Sequence, residues 1–434
     1  MKSCKNFFHT EKRGMIVSIG YACLHIGLTN TNIRTVIQRN ASEEKLTEVT
    51  AHNLSALEKM IDYNILNDIR LYRISSGLVP FGSSPINRLP WDKIHQEAFE
   101  RIGKKVAESG MRVSFHPGQY TVLNSPSEEV VNRAIDDLIY QEKVLTCLGT
   151  NSSHKLILHV GGVYGDKEGA MERFVQNFQR LPESVKARLI IENDDRLYHI
   201  EDVLALSKRI GIPVVYDNLH NAINPSPTNK DDNYWITEAN KTWKKEDGKQ
   251  KIHYSQQAPD KRLGAHTDTI YLKTFLEFYK KIPDTTIDIM LEVKDKNLSA
   301  IKCQNAITDR KNIVLLEREW ARYKYLILEK SPAIYQMIRT LLKDKADYPV
   351  IEFYELIKKA QKKETNPGEA ENTAQHVWGY FKDQATVREK RTFIRNCEKY
   401  RNQKGSLQTI KRQLFKLAVK YEEAYLLESL YFYL

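Results

Sequence analysis

Eight short runs rich in β-branched residues alternate with longer stretches of helical periodicity between Ile16 and Val293. The runs are Ile16–Cys23, Arg70–Ile74, Arg112–Phe115, Lys155–Val160, Arg188–Glu192, Pro213–Tyr216, Lys251–Tyr254 and Asp288–Val293. This alternation predicts repeated strand–helix units with parallel strands, and eight units is the number that closes a (β/α)8 TIM barrel. An open, doubly wound sheet is the alternative, since strand order cannot be deduced from the sequence.

The pattern changes after Asn305 to long helical stretches rich in Leu, Ile, Tyr and Lys, and Asn366-Pro-Gly368 interrupts this region near its middle. A chain of 434 residues suits a barrel of about 250 to 300 residues followed by a helical module of about 120. We therefore predict an α/β barrel at 14–305 and an all-α domain at 310–434.

The five cysteines lie far apart and form no C-x-x-C pair, which argues against a disulfide framework and favours a reducing cytoplasm. The first 13 residues are polar and charged, and no run of about 18 apolar residues occurs. The sequence thus predicts neither a signal peptide nor a membrane span.

The formal net charge of +11 suggests a polyanionic partner, because Lys and Arg gain affinity by displacing counterions from phosphates. From residue 305 to the C-terminus, 25 Lys and Arg residues face 17 Asp and Glu residues. Most of the positive excess therefore lies in the tail, where it suggests non-specific contacts with phosphates. The alternative is a charged helical face that is simply solvated, which is common in Lys-rich helices.

Candidate metal ligands follow the predicted strands. Five runs have a candidate ligand at their end or within one residue of it, namely His116, His159, Glu192, Asp217 and Glu292. A sixth contains His253, and His220 and His266 follow in loops. In a parallel barrel all strand ends meet at one face, where active sites are built. These residues should therefore converge.

Taken singly, each of these residues has a more ordinary explanation, since a lone His is more often a hydrogen-bonded core residue and a lone carboxylate often caps a helix. Burying several of them together, however, costs many kcal/mol unless cations neutralise them. Five imidazoles and three carboxylates imply two or three ions, and mixed donors suit Mn²⁺ or Zn²⁺ better than Mg²⁺. Such a cluster suits phosphodiester hydrolysis, although sugar isomerases on this barrel also use two ions.

Several long motifs in fixed order resemble the ultraviolet damage endonucleases (UvsE or UVDE) over about residues 14–303. They include Tyr72-Arg-Ile-Ser-Ser76, Val113-Ser-Phe-His-Pro-Gly-Gln-Tyr120, Leu158-His-Val-Gly-Gly162, Ile190-Ile-Glu-Asn-Asp194, Tyr216-Asp-Asn-Leu-His220 and Lys251-Ile-His-Tyr-Ser255. The resemblance implies a manganese-dependent barrel that cuts double-stranded DNA 5′ to cyclobutane dimers and (6-4) photoproducts.

The resemblance also implies roles for residues. The metal ligands would be His116, His159, Glu192, Asp217, His220, His253, His266 and Glu292, with Glu192 bridging ions. Glu192, His116 and Lys251 would form the catalytic group, and Lys251 could carry a carboxylate modification. Gln119 and Tyr120 would probe the duplex where damaged bases are flipped out, with Tyr21 contacting the lesion.

One family ligand is missing. Where family members usually have Pro-Phe-Ala-Ser-His, this chain has Pro80-Phe-Gly-Ser-Ser84. Serine is a poor ligand for these ions, so the third metal position should be weak, completed by water or altered in its metal preference.

The tail resembles a second family, the helical YbgA-like domain of unknown function, through Trp320-Ala-Arg-Tyr-Lys-Tyr325, His376-Val-Trp-Gly-Tyr-Phe381 and Tyr425-Leu-Leu-Glu-Ser429. Its partner cannot be predicted, and the aromatic residues are interpreted as helix core.

Three other functions are considered. An abasic-site endonuclease of the endonuclease IV type is the first alternative, a sugar isomerase the second, and a non-enzymatic nucleic-acid-binding protein the third. Gln119 and Tyr120 after His116 argue against the two enzymes, and the retained ligands argue against the third.

Overall fold

The computed structural model describes residues 17–283 and 286–434, which form two compact units. The first unit comprises the described residues up to Cys23, then Ile33–Ile270 and Glu277–Lys296. The second comprises Leu24–Asn32, Tyr271–Leu276 and Asn297–Leu434. The predicted start of the barrel at residue 14 and the first predicted strand residue, Ile16, lie outside the described residues.

Each of the eight predicted runs coincides with a strand, and the sixth strand extends one residue beyond its run, to Asp217. The strands are β1 (Ser18–Ala22), β2 (Leu71–Arg73), β3 (Arg112–Ser114), β4 (Leu156–His159), β5 (Leu189–Glu192), β6 (Val214–Asp217), β7 (Lys251–Tyr254) and β8 (Asp288–Leu291). Every residue of β5, β6, β7 and β8 is buried. Such near-continuous apolar burial is typical of parallel strands covered on both faces.

The strands pair in the order β3-β2-β1-β8-β7-β6-β5-β4, and all pairs are parallel. A bridge joins Phe115, directly after β3, to Leu156 at the start of β4, and Phe115 N–H donates to Lys155 O at 3.0 Å. Because this bridge connects the two ends of the sheet, the fold is a nearly closed (β/α)8 barrel, as predicted, rather than an open doubly wound sheet.

Ten α-helices lie along the described sequence as far as β8. They are α1 (Glu43–Leu66), α2 (Trp91–Ile94), α3 (Gln96–Ser109), α4 (Glu128–Cys147), α5 (Lys167–Gln179), α6 (Glu183–Lys186), α7 (Ile200–Ile210), α8 (Asn218–Ile223), α9 (Asp232–Asn240) and α10 (Leu272–Tyr279). Local chemistry fixes their ends. The His199 side chain and Asp202 form a reciprocal capping box at the start of α7, and Gly211 ends that helix with a φ of 74°.

The helical region after β8 agrees with the predicted all-α tail. Its helices are α11 (Asn297–Ile307), α12 (Ile313–Lys330), α13 (Pro332–Leu341), α14 (Val350–Gln361), α15 (Pro367–Trp378), α16 (Val387–Arg401), α17 (Leu407–Lys420) and α18 (Ala424–Leu427). Val377, Phe381 and Phe393 belong to its buried core, which Trp378 and Tyr380 cover. The aromatic residues of the tail therefore pack as helix core, as interpreted from the sequence.

Helix α11 falls in the second unit, although residues 297–305 are part of the predicted barrel segment. The described cysteines, Cys23, Cys147, Cys303 and Cys397, form no disulfide bonds. Among the described helices, we find none with both the length and the apolar character needed to span a bilayer.

Candidate metal centre

Glu192, the last residue of β5, lies at the centre of a cluster of imidazoles. Its side chain is fully buried. One carboxylate oxygen, Oε2, is 3.0 Å from His116 Nε2, and the other, Oε1, is 2.8 Å from His253 Nδ1. Although these three residues come from separate strands or strand ends, closure of the barrel brings them within hydrogen-bond distance.

Two further histidines surround the same carboxylate. His159 Nε2, at the end of β4, is 3.8 Å from Glu192 Oε2, and His220 Nδ1, in α8, is 3.6 Å from Glu192 Oε1. The rings of His116 and His159 have centroids 5.0 Å apart, and those of His159 and His220 are 5.6 Å apart. Four imidazoles thus face one buried carboxylate.

Asp217, at the end of β6, has two functions in the structure. Its Oδ1 accepts a hydrogen bond of 2.8 Å from His220 N–H and so caps α8, which is the ordinary role of such a residue. Its other oxygen, Oδ2, is buried and has no hydrogen-bond partner among the described residues. The cap therefore uses only one of the two oxygens and leaves the other available to an ion.

Glu292 connects the cluster to the last strand, because it follows β8 directly. Its Oε1 is 3.5 Å from His253 Nδ1 and accepts a hydrogen bond of 2.5 Å from Arg73 Nη1. His266 joins the group only through Glu292, with Nε2 at 3.9 Å from Glu292 Oε2, and its side chain is partly exposed. All eight candidate ligands therefore lie in one connected group, with His266 at its edge.

Two carboxylates of this group, those of Glu192 and Glu292, have lowered pKa values despite their surroundings. Burial would raise the pKa of Glu192, but the charges of His253 and His159 and the hydrogen bonds from the imidazoles outweigh it and hold the pKa well below its ordinary value. Burial would likewise raise the pKa of Glu292, and the Arg73 guanidinium reverses that effect. Burial raises the pKa of Asp217, for which His220 compensates only in part.

The donor set fits metal ions. Two overlapping groups, His116 with Glu192 and His253, and Glu192 with Asp217 and His220, each place their ligand atoms within 4.8 Å of one another. Buried Nδ1 of His159, Oδ2 of Asp217 and Nε2 of His253 have no hydrogen-bond partner among the described residues. Unpaired buried acceptors are costly, and cations shared through Glu192 would satisfy them.

Lys251 lies two residues before His253 in β7, so both side chains project from the same face of that strand. It is buried, and burial lowers its pKa well below the ordinary value, with a further contribution from Arg112. The side chain is thus an unusually poor proton acceptor for a lysine.

Gln119 and Tyr120 lie in the loop between β3 and α4, just after His116. Tyr120 is 83% exposed, and Gln119 is also exposed. Thr121 N–H donates to Gly118 O at 2.9 Å and closes a turn around the pair. The loop therefore presents an aromatic ring and an amide to solvent beside the cluster.

Tyr21 is not placed as expected from the resemblance. It is fully buried, and its hydroxyl donates to Asn64 Oδ1 of α1 at 2.9 Å. Its neighbour Ala22 packs with Leu71 and Met290 on the other face of the sheet. Because successive strand residues point to opposite faces, Tyr21 faces the helical layer, and this position does not allow contact with a damaged base.

Ser84 lies in the turn between β2 and α2. Its N–H donates to Phe81 O at 3.0 Å, and its hydroxyl accepts from Ile86 N–H at 3.3 Å. The hydroxyl is therefore used within its own turn.

Two residues were not singled out from the sequence. Asn193 is fully buried. Its side-chain amide donates to Asp217 O and accepts from Asp217 N–H, and its backbone carbonyl oxygen lies 2.9 Å from His220 Nδ1. Arg73 holds Glu292. Both stand inside motifs that carry the resemblance, but neither is of a residue type that by itself indicates a metal site.

Comparison with known proteins gives matches for both parts of the chain. The family model described as UV-endonuclease UvdE matches residues 17–321, and one described as a protein of unknown function, DUF1722, matches residues 324–434. The UV DNA damage endonuclease of Clostridium perfringens (strain 13 / Type A) is 40% identical over 351 residues, covering 79% of this chain and 83% of the relative. That of Bacillus mycoides (strain KBAB4) is 35% identical over 61% of this chain and 84% of the relative. The crystal structure of SacUVDE superimposes with a TM-score of 0.63 at 36% identity, covering 66% of this chain and 96% of that chain.

Proposed function

Because the chain belongs to the UV-endonuclease UvdE family, and is therefore a DNA repair endonuclease, we propose that it hydrolyses the phosphodiester bond 5′ to ultraviolet photoproducts in double-stranded DNA. The substrates would be cyclobutane pyrimidine dimers and (6-4) photoproducts. The observation that carries the proposal is the buried Glu192 carboxylate, which two groups of candidate ligands share.

We propose that the cluster holds at least two ions, with Mn²⁺ as the preferred metal. When bound, such ions lower the pKa of water and stabilise the charge that develops on the phosphate and the leaving oxygen. Mixed imidazole and carboxylate donors support Mn²⁺ or Zn²⁺ over Mg²⁺. Ser84, where the family usually has a histidine, supports two firmly held ions rather than three.

The protein's own groups prepare this site. Glu192 stays deprotonated because imidazoles surround it, and Asn193 fixes the ends of β5 and β6 relative to each other. Arg73 keeps Glu292 anionic and holds one of its oxygens. Residues whose rotamers are held in this way lose little entropy when they bind a ligand.

Lesion recognition would come from Gln119 and Tyr120. An exposed aromatic ring can fill the gap left by flipped-out bases, and an amide can meet the orphaned partners. Lys251 would act beside the cluster. The carboxylate modification that the resemblance implies requires a neutral amine, and the lowered pKa of Lys251 supports it.

A nicking assay tests the proposal. Three duplexes of identical sequence, end-labelled on the damaged strand, would carry a cyclobutane dimer, a (6-4) photoproduct or an abasic site, each with Mn²⁺, Mg²⁺ or EDTA. We expect cleavage immediately 5′ to both photoproducts with Mn²⁺, a 3′-hydroxyl that a polymerase extends, and no cleavage with EDTA.

Two results would overturn the proposal. Cleavage only at the abasic site would indicate an endonuclease IV type of specificity, and full activity in EDTA would exclude metal dependence. Metal content per chain, measured by mass spectrometry on the purified protein, separates two bound ions from three.

A further inference from the structure

The net positive charge of the C-terminal region is concentrated in two helices that follow each other in the sequence. Residues 387–420, which include α16 and α17, contain 11 Lys and Arg residues and only 2 Asp and Glu residues. The rest of the region from 305 onward has 14 basic and 15 acidic residues. The net charge of the region therefore comes entirely from this helical pair.

Four of these cations form a stripe along α16. Arg388, Arg391, Arg395 and Lys399 are all exposed. Their spacing of three, four and four residues places them on one side of the helix, within about 80° around its axis. The buried side of α16, formed by Phe393 and Cys397, lies opposite. The stripe thus points directly away from the helical core.

The second helix extends this surface. Arg412 and Lys416 are exposed one turn apart on α17. Asn396 Nδ2 donates to Gln413 Oε1 at 2.7 Å and links the two helices, beside Arg412. We call these six residues the basic face: Arg388, Arg391, Arg395, Lys399, Arg412 and Lys416.

The cations of the basic face lack the carboxylate partners that neighbouring cations have. Lys411 pairs with Glu329, Arg401 with Glu371 and Lys420 with Glu389. Within the described residues, no ion pair joins a carboxylate to any member of the basic face. The two acidic residues of α16 do not neutralise it, since Glu389 is held by Lys420 and Glu398 makes no ion pair among the described residues.

The stripe weakens its own helix. Arg391 and Arg395 are four residues apart, as are Arg395 and Lys399, and like charges at this spacing destabilise a helix. An external polyanion would relieve this repulsion. The stripe is about 16 Å long, which matches roughly five phosphates along one strand of a duplex.

We propose that the basic face binds the phosphate backbone of duplex DNA without sequence or lesion specificity. The choice of DNA over other polyanions rests on the proposed function, because the same chain carries the repair endonuclease. The basic face would add affinity for undamaged and damaged duplexes alike, while discrimination between them stays with the barrel.

The test uses the full chain with Arg388, Arg391, Arg395 and Lys399 all changed to Gln. The matched control changes four exposed cations elsewhere in the region, Arg318, Lys359, Lys362 and Lys382, to Gln. Binding to an undamaged duplex is measured across a salt series. Each lost phosphate contact should flatten the slope of log K against log[salt] by about 0.9, so the stripe variant should lose about 3 to 4 in slope and at least about tenfold in affinity at ~0.1 M salt.

The control variant should keep its slope within about one unit of the unaltered protein. A second variant, Arg391→Glu with Arg395→Glu, should also weaken binding to the duplex. It provides an independent result if the four-residue variant misfolds, and circular dichroism checks the folding of both variants. An unchanged slope, or a loss seen only with double-stranded RNA or with anionic phospholipid vesicles, would overturn the proposal. Lesion nicking at saturating DNA should persist in the stripe variant, which separates this test from that of the proposed function.

Discussion

The barrel and the C-terminal helices place their charges differently. In the barrel, the buried Glu192 and the half-buried Glu292 are surrounded by imidazoles and Arg73, which distant parts of the chain contribute. In α16, the cations follow one another at helical spacing and face solvent. A buried charge must have an oppositely charged or hydrogen-bonding group held close to it, because it has lost its contact with water. An exposed charge keeps its contact with water and needs no such partner. The arrangement in the barrel suits a catalytic site, and the arrangement on α16 suits binding to a charged partner.

The largest effect is expected from Glu192→Gln, which tests whether the charges of the barrel are catalytic. The substitution removes the shared negative charge and one ligand oxygen, so we expect nicking to fall below detection while circular dichroism stays unchanged. Glu168→Gln, an exposed residue at the start of α5, is the control and should leave activity unaltered. Activity within about tenfold of the unaltered protein at saturating Mn²⁺, a difference of only ~1.4 kcal/mol, would contradict the bridging assignment.

The C-terminal domain also contains a buried ion pair, and there the expected effect is on stability alone. Lys411 Nζ is 2.9 Å from Glu329 Oε2, and both side chains are almost inaccessible. Lys411→Met leaves the Glu329 carboxylate buried without a partner. Breaking such a pair should cost about 3 to 5 kcal/mol. Hydrogen exchange at α12 and α17 should accelerate, while nicking by the folded protein stays the same.

The double substitution Glu329→Met with Lys411→Met provides the control. Removing both charges avoids the uncompensated carboxylate, so exchange should return close to that of the unaltered protein. If Lys411→Met instead abolished nicking with exchange unchanged, the assignment of chemistry to the barrel alone would be wrong.

Much of the fold followed from periodicity. Each predicted run coincides with a strand, to within one residue for β6, because parallel strands buried on both faces are short, apolar and separated by amphipathic helices. The convergence of candidate ligands followed as well, since barrel closure brings strand ends together. Their roles as ligands remain predictions.

Other features depend on contacts that periodicity does not encode. Arg73 and Glu292 are separated by 219 residues, and no spacing rule connects them. The burial of Tyr21 depends on which face of β1 it occupies, which is a matter of a single residue in register. The division near α11 reflects packing of that helix in the second unit rather than any change in composition.

Recognition by the barrel should depend on two exposed residues, in contrast to the spread charges of the basic face. We expect Gln119→Ala with Tyr120→Ala to weaken binding to a dimer-containing duplex by about tenfold, since one stacking contact is worth about 1 to 3 kcal/mol. Binding to the undamaged duplex should change little, because only flipped-out bases leave a gap. Tyr234→Ala removes another exposed tyrosine and should affect neither. An equal loss on both duplexes would show that the loop contacts the backbone rather than the lesion.

The smallest effect is expected at Ser84, where the barrel lacks a ligand that the family usually has. Because its hydroxyl accepts from Ile86 N–H within the turn, Ser84→Ala should leave metal content unchanged. Ser84→His would supply a nitrogen donor, which these ions prefer to a neutral hydroxyl. It should therefore raise the metal content towards three ions per chain, or shift the Mn²⁺ concentration needed for half-maximal nicking by a few-fold. Mass spectrometry and a metal titration measure the two readouts. A fall in metal content with Ser84→Ala would identify the serine itself as a ligand. No change with Ser84→His would instead place the residue outside the metal centre.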